Sequence, residues 1–109
     1  MLSHSVTVYI PTTIHASAAP RSKIKELRDT VKRTLSILFG GYTETIGNGG
    51  WYSNELNKII SERVYLVKAY ANDIQPLQLE QVKALCNQIK AELEQEAVSL
   101  EVNNTLEFI

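Results

Sequence analysis

The feature that most constrains this chain is a change of hydrophobic period that occurs twice along it. Ser5 to Ile10 alternates, with Val6, Val8 and Ile10 on one side and Thr7 and Tyr9 on the other, the pattern of a half-buried strand. Pro11 ends it, and Thr12 to Ala19 is small and polar, a loop. Ile24, Leu27, Val31, Leu35 and Leu38 then recur at three- and four-residue steps, one face of a helix. Pro20 suits the first turn and Gly40 the left-handed close, so the spacing predicts a helix over 21–39.

The second passage begins at Gly41. Tyr42, Thr43, Thr45 and Ile46 have strand character. Gly47, Asn48, Gly49 and Gly50 interrupt it, which predicts a bulge, a sharp bend or a close backbone approach. Asn54 to Lys58 reads as a turn and Ile59 to Tyr70 as a returning strand, the two strands forming a long hairpin. Pro76 and the stripe Leu79, Val82, Leu85, Cys86, Ile89 and Leu93 predict a second helix over 77–95. Val98, Leu100 and Val102 alternate as a last strand, Asn103-Asn104 suits a turn, and Leu106 and Phe108 extend an edge or dock elsewhere.

The order β-α-β-β-α-β predicts a single α+β domain over 1–109, a ferredoxin-like sandwich with an antiparallel sheet and both helices on one face. A chain of 109 residues suits one core and leaves no room for two. Within Ile59 to Tyr70, Val64 and Leu66 share one face while Tyr65, Val67 and Ala69 share the other, so both faces are apolar. A solvated outer face would be polar. The helix-free face is therefore expected to be covered by another subunit or a folded-back segment, in a homo-oligomer, dimer or trimer. The plainer alternative is an ordinary outer face with scattered aromatics.

Charge narrows the partners. The formal net charge of −1 offers no bulk attraction to nucleic acid or to an acidic membrane. The nearest approach to a basic stripe, Arg21, Lys23, Lys25, Arg28, Lys32 and Arg33, is broken by Glu26 and Asp29 and reads as the solvated side of a helix. The single Cys86 excludes an intrachain disulfide, and two His with one Cys make no zinc knuckle. Cys86 lies on the apolar face of the second helix, as a buried small hydrophobe. His4 and His15 flank the first strand, too far apart to share a metal. No signal-peptide pattern or membrane-length apolar run is present, so a cytoplasmic location is expected.

One stretch carries candidate chemistry: Gly40, Gly41, Tyr42 and Thr43 through Gly49, Gly50 and Trp51, with Glu62 across the hairpin. Glycines admit a ligand to backbone N–H groups, and tryptophan offers a flat apolar surface with one donor. These eight residues are the candidate ligand-binding set, for a small polar or aromatic molecule. No catalytic residue, metal ligand or cofactor is specified. Neither a dinucleotide fingerprint nor a P-loop is present, and the helix end before Gly40 would repel phosphate. The residue types favour a plainer reading, a helix cap and a bent hairpin with Trp51 in the core. At a surface Glu62 would pair with Arg63 or Lys68.

Phe39-Gly40-Gly41, Gly47-Asn48-Gly49-Gly50-Trp51, Glu62-Arg63-Val64 and Gln95-Glu96-Ala97-Val98 together resemble a family of small bacterial proteins known only as a domain of unknown function. The resemblance spans Phe39 to Phe108 and implies an α+β fold without an activity. Gly49-Gly50-Trp51 stands where that family's pattern has Gly-x-Trp. Val64-Tyr65-Leu66-Val67-Lys68 and the element order also resemble the CutA and PII-like trimers, which implies a trimer. The first helix lacks their usual Ala-Cys end, so no metal site is carried over.

Three functional readings are open at this level. The first is a non-enzymatic oligomeric small-molecule-binding or regulatory module. The second is a small enzyme using Glu62 with Tyr42, Thr43 or Tyr65 in a Gly/Trp/Glu-lined cleft. The third is an inhibitor or accessory protein that pairs a partner strand along Leu106 to Ile109.

Overall fold

The computed structural model describes residues 2–109. In chain order the elements are β1 (His4–Ile10), β2 (Thr13–Ile14), β3 (Ser17–Ala18), α1 (Arg21–Phe39), β4 (Thr43–Ser53), β5 (Lys58–Ala71), α2 (Pro76–Glu92), β6 (Ser99–Val102) and β7 (Thr105–Phe108). Five strands form one antiparallel sheet in the order β4-β5-β1-β6-β7, and β2 and β3 form a separate two-stranded ribbon.

The first helix runs over the predicted span. It closes on Gly40 at φ 94°, whose N–H donates to the Ser36 carbonyl at 2.8 Å. Only glycine takes that left-handed conformation without steric cost. The second helix stops at Glu92, short of the expected 95, because the chain turns back through Glu94 at φ 50°. Its start is a reciprocal cap: the Gln75 N–H donates to the Gln78 side-chain oxygen at 2.8 Å. The Gln78 amide nitrogen also donates to the Leu38 carbonyl at 3.0 Å, tying the start of α2 to the end of α1.

Both helices bury their stripes in one core. Ile24, Leu27, Val31 and Leu35 of α1 and Val82, Leu85, Cys86 and Ile89 of α2 pack with Val6, Val8, Ile10, Val67, Ala69 and Leu100 of the sheet. Register places Val6 opposite Ala69 and Val102, and Val8 opposite Val67 and Leu100, so the expected strand faces coincide. Burial pushes the Cys86 thiol up to about 11, with Glu107 adding to the effect, consistent with a hydrophobe rather than a nucleophile. Asn103 and Asn104 both take positive φ in the turn to β7, which extends the sheet edge.

The segment Thr12 to Ala19 is not a plain loop: β2 and β3 pair across a turn in which His15 and Ala16 both have positive φ. Nor do the glycines of β4 make a bulge or bend. Pairing with β5 runs without a slip from Thr43↔Lys68 to Ser53↔Lys58. Close approach is what they serve: a Cβ at Gly49 would stand 3.1 Å from Val64 Cγ2, and one at Gly50 3.2 Å from the Ile60 carbonyl oxygen.

The hairpin outgrows the sheet. β1 pairs β5 only from Tyr65 to Ala71, so the strands between Gly47 and Val64 project as a two-stranded ribbon. No described helix is long and apolar enough to cross a membrane.

Candidate functional site

Alternation along β4 and β5 sorts the hairpin residues. Gly47, Gly49 and Trp51 of β4 share a face with Ile60, Glu62, Val64, Leu66 and Lys68 of β5. That is the face opposite Val67 and Ala69, which carries no helix. It also holds Tyr9, whose hydroxyl donates to Glu101 at 2.9 Å, and the exposed Leu106 and Phe108. Burial first, then the Glu101 hydrogen bond, raises the Tyr9 pKa.

The candidate residues do not form one cluster. Gly49, Gly50, Trp51 and Glu62 stand near the tip of the projecting ribbon, with Gly49 paired to Glu62 and Trp51 to Ile60. Gly40, Gly41, Tyr42 and Thr43 stand at its base. Along the strand Thr43 and Trp51 are roughly 27 Å apart at about 3.4 Å per residue. Trp51 is 43% exposed, so it is not in the core.

Trp51 and Glu62 open onto a cleft of about 670 Å³. Three other segments complete it: Thr13, His15 and Ala16 from the β2–β3 ribbon, Ser53, Glu55 and Leu56 at the hairpin turn, and Glu94 to Ala97 after α2. Sequence reasoning placed none of these three segments in the site. Gln95 fastens them together, its amide nitrogen donating to the carbonyls of Thr13 and Leu93, both at 2.8 Å.

Glu62 forms no surface ion pair with Arg63 or Lys68. Its Oε2 instead accepts the Thr13 hydroxyl at 2.6 Å and the Thr12 N–H at 3.3 Å. The Thr12 hydroxyl donates to the Arg63 carbonyl at 2.6 Å, so the β2 approach is stitched to β5 at this point. Both donors to Glu62 converge on one oxygen, and Oε1 accepts none from the described residues. The charged lining is otherwise acidic, with Glu55, Glu94 and Glu96 around the rim. Among the described residues His15 is the one basic side chain in its lining, 3.6 Å from Glu94.

The hairpin base is organised differently. Glu44 on the helix side accepts a bidentate pair from Arg28 at 2.7 and 3.0 Å and lies 3.3 Å from the Lys32 ammonium. Arg28 also stacks on Tyr65, 3.9 Å from the ring centroid. Arg28 and Lys32 are therefore not part of a solvated helix side. The Arg28 hydrogen bonds, aided by Lys32, hold the Glu44 carboxyl below its ordinary range, although partial burial works against them. Among the described residues no group of three or more His, Cys, Asp or Glu side chains is placed to hold a metal ion.

No family model matches the chain, and no curated protein matches it. Solved structures do share its backbone. A phage SAM lyase in complex with S-methyl-5'-thioadenosine superposes with a TM-score of 0.69 at 12% identity, covering 97% of this chain and 88% of that one. The phage SAM lyase in its apo state gives a TM-score of 0.70 at 12% identity, covering 99% and 89%. At this identity the likeness is one of fold, extending over nearly the whole of both chains.

Proposed function

We propose that this chain is a homo-oligomeric small-molecule-binding module whose cleft, between Trp51 and Glu62, takes a flat-ringed cation. One observation carries the reading. A half-exposed tryptophan faces a cleft whose described lining holds four acidic side chains, Glu55, Glu62, Glu94 and Glu96, against one histidine. An aromatic face and carboxylates both attract positive charge, and both disfavour phosphates. The element order and the sheet order β4-β5-β1-β6 support a ferredoxin-like unit to which β7 and the β2–β3 ribbon have been added.

The apolar helix-free face supports assembly. Leu106, Phe108, Leu66, Val64 and Tyr9 line it, and a patch of this kind on a small domain marks a contact surface. The resemblance to the CutA and PII-like proteins makes a trimer the first stoichiometry to test. Sedimentation equilibrium at high concentration should give a dimer or trimer; a clean monomer defeats that part of the reading.

The fold relative's SAM and S-methyl-5'-thioadenosine supply matched probes, one a sulfonium cation and the other a neutral thioether. Trp51 is the single tryptophan, so its fluorescence reports on the cleft alone. Titration with SAM should quench it saturably, S-methyl-5'-thioadenosine should bind more weakly, and adenosine monophosphate should have no effect. A flat response to SAM and to other ring-bearing cations overturns the reading.

A second reading, a small enzyme, is favoured by Glu62: two threonine donors fix one carboxylate oxygen and leave the other open to the cleft. A carboxylate held this way could orient or deprotonate a bound molecule. If so, Glu62→Gln abolishes turnover of SAM while the fold survives by circular dichroism. SAM that binds the wild type and stays intact rules this out.

A further inference from the structure

The base of the hairpin has a concavity of its own, of about 250 Å³, separate from the Trp51 cleft. Phe39, Tyr42 and Tyr70 give it aromatic walls, Leu2 lies against it, and Thr43 and Lys68, cross-strand partners, form its polar side. None of its described lining residues carries a carboxylate. Lys68 lies over the Tyr70 ring, 4.8 Å from the centroid. Among the described residues Lys68 has no carboxylate within ion-pair distance, unlike Arg28 and Lys32 on the other face of the same hairpin base, which both pair with Glu44. An aromatic groove whose described lining holds one ammonium and no acid is complementary to a monoanion with a flat apolar body.

The helix end beside it does not oppose this as strongly as its dipole suggests. Two of the last carbonyls of α1 are already satisfied, that of Ser36 by the Gly40 N–H and that of Leu38 by the Gln78 amide. Capping spends their hydrogen-bonding capacity within the protein. A compact carboxylate on Lys68 also needs less cationic surrounding than a phosphate dianion.

We propose that this groove is a second ligand site, for a small aromatic carboxylate: Lys68 and the Thr43 hydroxyl hold the carboxylate, and Phe39, Tyr42 and Tyr70 hold the ring. The site is independent of the Trp51 cleft and of opposite charge preference.

Phenylacetate is the direct probe, with phenethylamine as its charge-reversed counterpart, followed through the ring resonances of Tyr42 and Tyr70 by NMR on the full chain. Phenylacetate should shift these resonances saturably without changing Trp51 fluorescence. Lys68→Met, which keeps the apolar stem, should weaken binding at least tenfold, and phenethylamine should not bind. The proposal is overturned by an absence of saturable shifts, by equal binding to Lys68→Met, by equal binding of phenethylamine, or by a response confined to Trp51. Since Trp51 and the two tyrosines are read separately, failure here is distinguishable from failure of the cleft reading.

Discussion

The two ends of the β4–β5 hairpin are made from the same two strands in unbroken register, yet they do different work. At the base, β5 is flanked by β1 on one side and β4 on the other, with α1 packed over Val67 and Ala69. Towards the tip β1 falls away, and the ribbon is joined to the rest of the protein chiefly through Thr12, Thr13 and the Glu62 carboxylate. The base contributes to the core, while the tip presents Trp51, Tyr52, Leu56 and Ile59 to solvent. A two-stranded ribbon alone is marginal in water. Cohesion and recognition are thus separated along one element: burial stabilises one end, and exposed aromatic and acidic groups equip the other.

Paired truncations, one at each end of the hairpin, should differ most. Leu35 of α1 is fully buried beneath the base, and Leu35→Ala should cost about 3 kcal/mol in urea unfolding, from lost transfer energy and an unfilled cavity. Leu56 at the tip is 53% exposed, and Leu56→Ala should fall within about 0.5 kcal/mol. If the two costs are equal, the ribbon is not energetically separate.

Next in size is the Glu44 network, which clamps the base to α1. Its Arg28 and Glu44 side chains are only 24% and 17% exposed. Glu44→Ala leaves Arg28 without its carboxylate and should cost about 2 kcal/mol at neutral pH. The folded-state pKa of Glu44 is depressed, so its contribution is fully present above the ordinary carboxylate pKa and is lost as pH falls through the lowered value. Wild type and Glu44→Ala should therefore converge in stability as acid is added below the ordinary carboxylate range. A gap that stays constant on acidification would show that Glu44 acts through packing alone.

The smallest effect tests the tip. Gly49→Ala puts a methyl group against Val64, and should destabilise by about 0.5 kcal/mol. In a Val64→Ala background the penalty should vanish, a coupling readable in a double-mutant cycle. An equal penalty in both backgrounds would mean that backbone freedom, not the neighbouring side chain, sets the preference for glycine.

Much of this organisation can be read from residue spacing, and the exceptions have physical causes. Helix 1 and the central strands carry long periodic stripes, and periodicity over many residues is difficult to mimic by chance. The β2–β3 ribbon has two residues per strand, too few for a period to register. Its turn places His15 and Ala16 at positive φ without the Asn or Gly that usually signals such a turn. Helix 2 ends sooner than its stripe predicts because Leu93 continues the apolar stripe after the helix has ended. At the candidate site, hairpin pairing makes the Trp51–Glu62 proximity legible, since cross-strand neighbours follow once the turn is located. The walls from Thr13 and Gln95 are not legible, because they arrive from segments whose approach is fixed only by tertiary packing.

Strand β5 has a consequence of its own for how such a protein can change. Glu62 and Lys68 lie an even number of positions apart on one uninterrupted strand, and that parity is what makes them look the same way out of the sheet. A single-residue insertion between them would turn one pocket to the reverse side, while a two-residue insertion matched in β4 would merely lengthen the arm. Viable length variants of this hairpin should therefore come in steps of two.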